Sequence, residues 1–175
     1  DEYIKENERR IEVQNPEDDH NEYYELGLQR MNRTLKTFKI DEEQLNVLKS
    51  KNFNGKILII SEPWCGDASA TVPAVSKFFE AASIEVKIFL KDSDTSLIEQ
   101  FLTNGTQSIP KILILNEDFS VKNVWGPRPQ FGNDLLKKFK ENPETYPREE
   151  FYNDLQVYYA KNRGKDAITE LLELL

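Results

Sequence analysis

The chain has one cysteine, Cys65, and one histidine, His20, so few side chains are available for nucleophilic or acid–base chemistry. Cys65 lies in Ser61-Glu62-Pro63-Trp64-Cys65-Gly66-Asp67-Ala68, directly after the apolar run Ile57–Ile60 and directly before a stretch of helical periodicity. That order puts the thiol at the amino end of a helix, where unpaired backbone N–H groups favour the thiolate, the form in which sulfur attacks. The helix end contributes about 0.3–1 kcal/mol, and about 2 at best. Asp67, two residues on, opposes the anion by about 1 kcal/mol if its carboxylate lies roughly 7 Å away in a partly solvated site. The two effects nearly cancel, which predicts a half-exposed, moderately activated thiol, more acidic if Asp67 turns away to cap the helix.

A lone thiol that attacks a disulfide forms a mixed disulfide that no second cysteine of the chain can resolve, so an outside thiol must finish the exchange. The expected partners are therefore a disulfide-bearing protein or a low-molecular-weight thiol. His20 sits in an acidic, turn-like stretch and reads as a surface residue. No Ser-His-Asp arrangement, phosphate-binding glycine loop or cluster of metal ligands is present, and no cofactor or metal is expected. A net charge of -8 on 175 residues disfavours nucleic-acid backbones. Ile57–Ile60, the longest apolar run, is far too short to span a bilayer. A single cysteine suits a reducing compartment, so a cytoplasmic location is expected, and nothing in the composition sets the oligomeric state.

The elements that must position Cys65 follow from periodicity. Residues 1–19 are charged, poorly periodic and broken by Pro16, and read as a frayed arm or loosely docked helix. Tyr24, Leu28, Met31, Leu35 and Phe38 recur on one helical face, and a second helix starts at the cap Asp41 with Gln44 in the reciprocal position and Leu45 and Leu48 buried. Asn54-Gly55 turns the chain into a strand over 56–60 whose continuous apolar character predicts burial on both faces. A helix over 66–82 should kink at Pro73. A strand over 84–90, a short helix over 95–102 capped by Asp94, and a strand over 111–115 follow. A turn at Asn116-Glu117-Asp118 leads into a strand over 119–125, and a helix follows Pro129. The last stretch, 149–175, is helical with an interruption at Gly164. The prediction is an α/β fold: a mixed sheet with helices on both faces, its first two strands parallel and an antiparallel hairpin at one edge.

On these residues the chain resembles the thioredoxin family. Trp64-Cys65-Gly66 matches the family's active-site entry, Pro73 falls where the family kinks its first core helix, and Ser108-Ile109-Pro110 precedes a strand as the family's cis-proline loop does. The resemblance implies a thioredoxin fold in a single domain over 1–175, with its core at about 54–142 and helical extensions over 20–53 and 147–175. The extended amino end and the Trp-Cys-Gly-Asp-Ala string look more like the uncharacterised thioredoxin-like proteins of bacteria than like minimal thioredoxins; that implies a fold and no known substrate. Two departures stand together: Ala68 replaces a resolving cysteine, and Ile59 replaces a buried carboxylate six positions before the nucleophile. In dithiol members that acid helps move the resolving thiol's proton, so without the second thiol its burial would cost energy to no purpose.

The resemblance implies that Cys65 is catalytic, with Asp67 and Ala68 modulating it. Trp64, Gly66, Ile109, Pro110, Gly126 and Arg128 are then expected to bind substrate. Trp64 would form a flat apolar lip, the Ile109 backbone would pair with an extended peptide, Gly126 would leave room for that peptide, and Arg128 would hold a carboxylate of a small thiol such as glutathione. Each has a plainer reading: an ordinary buried cysteine, a proline needed only for the fold, a packed tryptophan, a solvated surface arginine. Two other functions compete with monothiol exchange or reduction. One is a noncatalytic binding module using the groove between Trp64 and Pro110. The other, less favoured, is a cysteine ligating a bridged iron–sulfur cluster as in monothiol glutaredoxins, whose motif differs at its last two positions.

Overall fold

The computed structural model describes residues 2–175. Four strands, β1 (Lys56–Ser61), β2 (Val86–Leu90), β3 (Lys111–Leu115) and β4 (Val121–Trp125), form one sheet in the order β2-β1-β3-β4. β1 pairs parallel with β2 and antiparallel with β3, and β3 pairs antiparallel with β4. The apolar runs of β1 and β3 are central because every residue of β3 is buried and Ile57, Ile59 and Ile60 are shut off from solvent. Strand β2, at the edge, is only half-buried, with Lys87 exposed.

Among the described residues seven α-helices flank the sheet: α1 (Glu2–Val13), α2 (Asn21–Thr37), α3 (Glu42–Ser50), α4 (Gly66–Ala81), α5 (Gln130–Glu141), α6 (Arg148–Asn162) and α7 (Lys165–Leu174). Helix α4 has Pro73 in its interior and buries Val72, Val75, Phe78 and Phe79 in the core. The α2 stripe does pack inward, with Tyr24, Met31 and Phe38 buried and Leu28 and Leu35 half-buried. Asp41 caps α3 by accepting from the Glu43 and Gln44 N–H groups. Gln44 does not close a reciprocal cap; its amide donates to the Lys165 carbonyl and Thr169 Oγ1 and ties α3 to α7. Gly164 separates α6 from α7, as its position predicts.

Two elements differ from expectation. The helix expected over 95–102 is reduced to one 3-10 turn, Ile98–Phe101, with a second, Lys91–Ser93, ahead of it, because only Ile98 of the stretch finds full burial and a regular helix would gain little. Over 2–19 the chain is not a frayed arm; of the two readings offered for this stretch, the docked helix is the one found, and it is firmly held. Helix α1 docks through Tyr3, whose hydroxyl lies 2.8 Å from Ser61 Oγ, and through Arg10, which reaches Glu62 at 2.8 Å. These contacts are polar and long-range, so no apolar period announces them.

Candidate functional site

Strand β1 ends at Ser61, and the turn 62–65 delivers Cys65 as the residue preceding α4. Helix α2 can approach this turn because Gly27 has no side chain: a Cβ there would stand 2.6 Å from the Pro63 carbonyl oxygen. Opposite, the Ile109-Pro110 peptide bond is cis, and the Cys65 thiol donates to the Ile109 carbonyl oxygen at 3.3 Å. The expected partners of the sulfur are thus brought together.

The expected exposure is not. Cys65 is 8 % exposed rather than half open. Burial, first, and the Asp67 charge, second, push its thiol up to about 12, against the opposing pull of the Ala68 and Asp67 backbone N–H groups and of Arg128. The helix-end effect estimated from sequence is present, but the desolvation that outweighs it depends on neighbours far along the chain.

Trp64 is half-buried and fixed at both its polar and flat parts. Its indole N–H donates to Asp92 Oδ2 at 3.0 Å, and the His20 ring stacks on it with centroids 4.1 Å apart. His20 is therefore no free surface residue; its Nδ1 lies 3.2 Å from Asp18 Oδ1, and the Lys91 ammonium stands 5.6 Å from the Trp64 ring centroid. Trp64 still flanks the thiol, but its lip is partly covered.

Gly126 and Arg128 are placed differently from expectation. Gly126 has φ +117, and the space a Cβ would take is filled by the Pro110 carbonyl, so this glycine admits the cis-proline loop rather than a substrate backbone. Arg128 is not free to hold a ligand's carboxylate: it forms a two-armed pair with Asp67, Nη2–Oδ2 2.7 Å and Nε–Oδ1 3.3 Å. The Tyr159 hydroxyl of α6 donates to the same Asp67 carboxylate. Asp67 is thereby held by Arg128, just ahead of α5, and by Tyr159 of the carboxyl-terminal extension instead of capping α4, whose Cys65 position makes no side-chain cap bond. Ala68 is fully buried where a resolving thiol would stand, Ile59 is sealed between Ile88 and Ile112, and Ile109 and Pro110 are buried, leaving Trp64, Gly66, Asp67, Gly126 and Arg128 as the half-buried members.

The sequence gives no role to three residues that pack around the turn carrying the thiol. Glu62 is fully buried, with Arg10 on one oxygen and the Asp92 N–H, at 2.6 Å, on the other. Burial holds its carboxyl above the ordinary range despite both partners. Asn7 of α1 is buried with both amide atoms unpartnered. Arg30 of α2 has its Nη1 3.4 Å from a Cβ built on Gly66. Only the Trp-Cys-Gly neighbourhood signalled Glu62; nothing local marks the other two.

A four-stranded mixed sheet with helices on both sides, a thiol at the amino end of the first core helix and a cis-proline loop facing it together define a thioredoxin fold. The chain belongs to the thioredoxin family: residues 14–140 match a family model described as thioredoxin. That match begins well before β1, so it takes in the α2–α3 extension along with the core. No curated protein matches the chain. Among solved structures it is similar to an HIV epitope scaffold, at 19% identity and TM-score 0.63 over 85% of this chain and 84% of that one. A Pseudomonas aeruginosa protein of unknown function is similar at 19% identity and TM-score 0.63, covering 85% of this chain and 83% of its own. Both likenesses are of fold. Among the described residues no helix is long and apolar enough to cross a membrane.

Proposed function

We propose that the chain performs thiol–disulfide exchange through Cys65 as its only redox thiol. The Cys65 thiolate attacks one sulfur of a disulfide R–S–S–R′; that S–S bond breaks, R′S⁻ leaves and takes a proton, and Cys65–S–S–R remains. A thiolate R″S⁻ from outside then attacks the sulfur of R, forming R–S–S–R″ and returning Cys65 as thiolate. The reading is carried by one observation, the Cys65 sulfur set against the Ile109 carbonyl at the amino end of α4. Burial keeps the resting thiol protonated, so attack follows a local opening around Trp64. Incubating the folded protein with hydroxyethyl disulfide and weighing it tests this: a mercaptoethanol adduct lost in Cys65→Ser supports exchange. An adduct that forms only after denaturation refutes it.

A second reading, a noncatalytic binding module, is favoured by the same burial and by the engagement of Arg128 and Gly126 within the protein. Under it the folded protein stays unmodified.

A further inference from the structure

Three arginines are half-buried: Arg10, Arg30 and Arg128. Arg10 pairs with Glu6 and Glu62, and Arg128 pairs with Asp67. Arg30 has no ion pair, side-chain hydrogen bond or ring partner among the described residues. One turn away on α2, positions 26, 27, 33 and 34 hold Leu, Gly, Arg and Thr, so no carboxylate of its own helix stands at the spacing that pairs side chains. In a chain of net charge -8, a half-buried cation left without an anion stands out. Burial, with Arg33 beside it, draws the guanidinium below its ordinary pKa.

Its surroundings point the same way. Arg30 Nη1 and Gln156 Nε2, from α6, approach a Cβ built on Gly66 to 3.4 and 3.7 Å. Nitrogen atoms from α2 and α6 thus both stand against the residue that follows Cys65, where the absence of a side chain lets them approach. Gln156 Nε2 stands near Gly66 while its Oε1 is buried and unpartnered. A guanidinium and an amide N–H₂ beside one residue suit a carboxylate.

We propose that Arg30 and Gln156 bind the carboxylate of the small thiol that resolves the Cys65 mixed disulfide, a subsite that rests on the exchange reading above. The outside thiol is then one whose carboxylate lies within a few atoms of its sulfur. Bound there, its thiolate attacks the R sulfur of Cys65–S–S–R, the new R–S–S–R″ departs, and the Cys65 thiolate takes a proton from water. This is the task the sequence suggested for Arg128, which Asp67 already occupies.

The test needs no chemistry at Cys65. In the Cys65→Ser chain, titration with mercaptoacetate is expected to move the backbone amide resonance of Gly66 and the side-chain amide of Gln156 to saturation, while uncharged 2-mercaptoethanol leaves them in place. Arg30→Ala should weaken that binding at least about tenfold, the scale of a lost charge-assisted hydrogen bond. Arg33→Ala, on the same helix, should leave it unchanged, and Arg30→Lys should restore part of it. Equal shifts with both thiols, no shift at Gly66 and Gln156, or binding indifferent to Arg30→Ala would overturn the subsite. Shifts that persist in a protein whose native Cys65 forms no mixed disulfide would uphold the anion site and refute the exchange reading alone.

Discussion

The imidazole of His20 lies parallel to the indole of Trp64, centroids 4.1 Å and planes 8° apart. The segment before α2 therefore covers the residue adjoining the thiol; the Tyr24 hydroxyl ties it down by donating to Asp18 at 2.6 Å, and Arg10, which also reaches Glu62, donates to that hydroxyl at 3.0 Å. A cover of that kind belongs to the low-stability end of a fold, where opening is local and needs no global unfolding.

Replacing His20 by alanine should uncover Trp64. With Trp125→Phe to isolate the signal, acrylamide should quench Trp64 fluorescence more strongly, and iodoacetamide should reach Cys65 faster than in the parent. The stability lost should be about 0.5–1.5 kcal/mol, the range for an aromatic pair. Unchanged quenching would show that the stack does not shield the indole.

The buried thiol leaves a mark on stability against pH. Its pKa rises from 9.0 to about 12 on folding, so the unfolded chain loses this proton first. The contribution is full below about pH 9 and falls by about 1.4 kcal/mol per pH unit as pH climbs toward the folded value. Urea denaturation between pH 8 and 10 should thus show the parent weakening more steeply than Cys65→Ala. Parallel curves would mean that the sulfur is solvated.

Asp67 and Arg128 act on the sulfur with opposite signs. Asp67→Asn should lower the thiol pKa and speed alkylation at a fixed pH, and Arg128→Ala should raise it and slow the reaction. Arg128→Ala should also cost about 3 kcal/mol, because it strips the cation from a mostly buried carboxylate. Alkylation profiles that move together in the two variants would contradict the arrangement.

Among the described residues, Arg10 is the only side-chain cation on fully buried Glu62. Arg10→Ala should destabilise the protein by about 3–5 kcal/mol, as expected when one partner of a buried pair is removed. The double variant Arg10→Ala, Glu62→Gln should recover much of the loss in the same denaturation assay. No recovery would place the damage in α1 packing instead of in an uncompensated charge.

Periodicity and turn chemistry settled the order of the main elements. The apolar runs of β1 and β3, the stripe on α2, the cap at Asp41 and the break at Gly164 are local signals, and each was legible because 3.6-fold or continuous hydrophobic patterning has one stable way to be buried. The setting of Cys65 between strand and helix came from the same patterning, and the family resemblance supplied the proline loop opposite it. The thiol's exposure and acidity were decided by the tertiary structure alone. His20 on Trp64, Tyr159 and Arg128 on Asp67, Arg10 on Glu62 and Gln156 beside Arg30 join residues 44 to 126 positions apart. Charge and solvation act through space, and the sequence order of two residues says nothing of the distance between them once the chain has closed on itself.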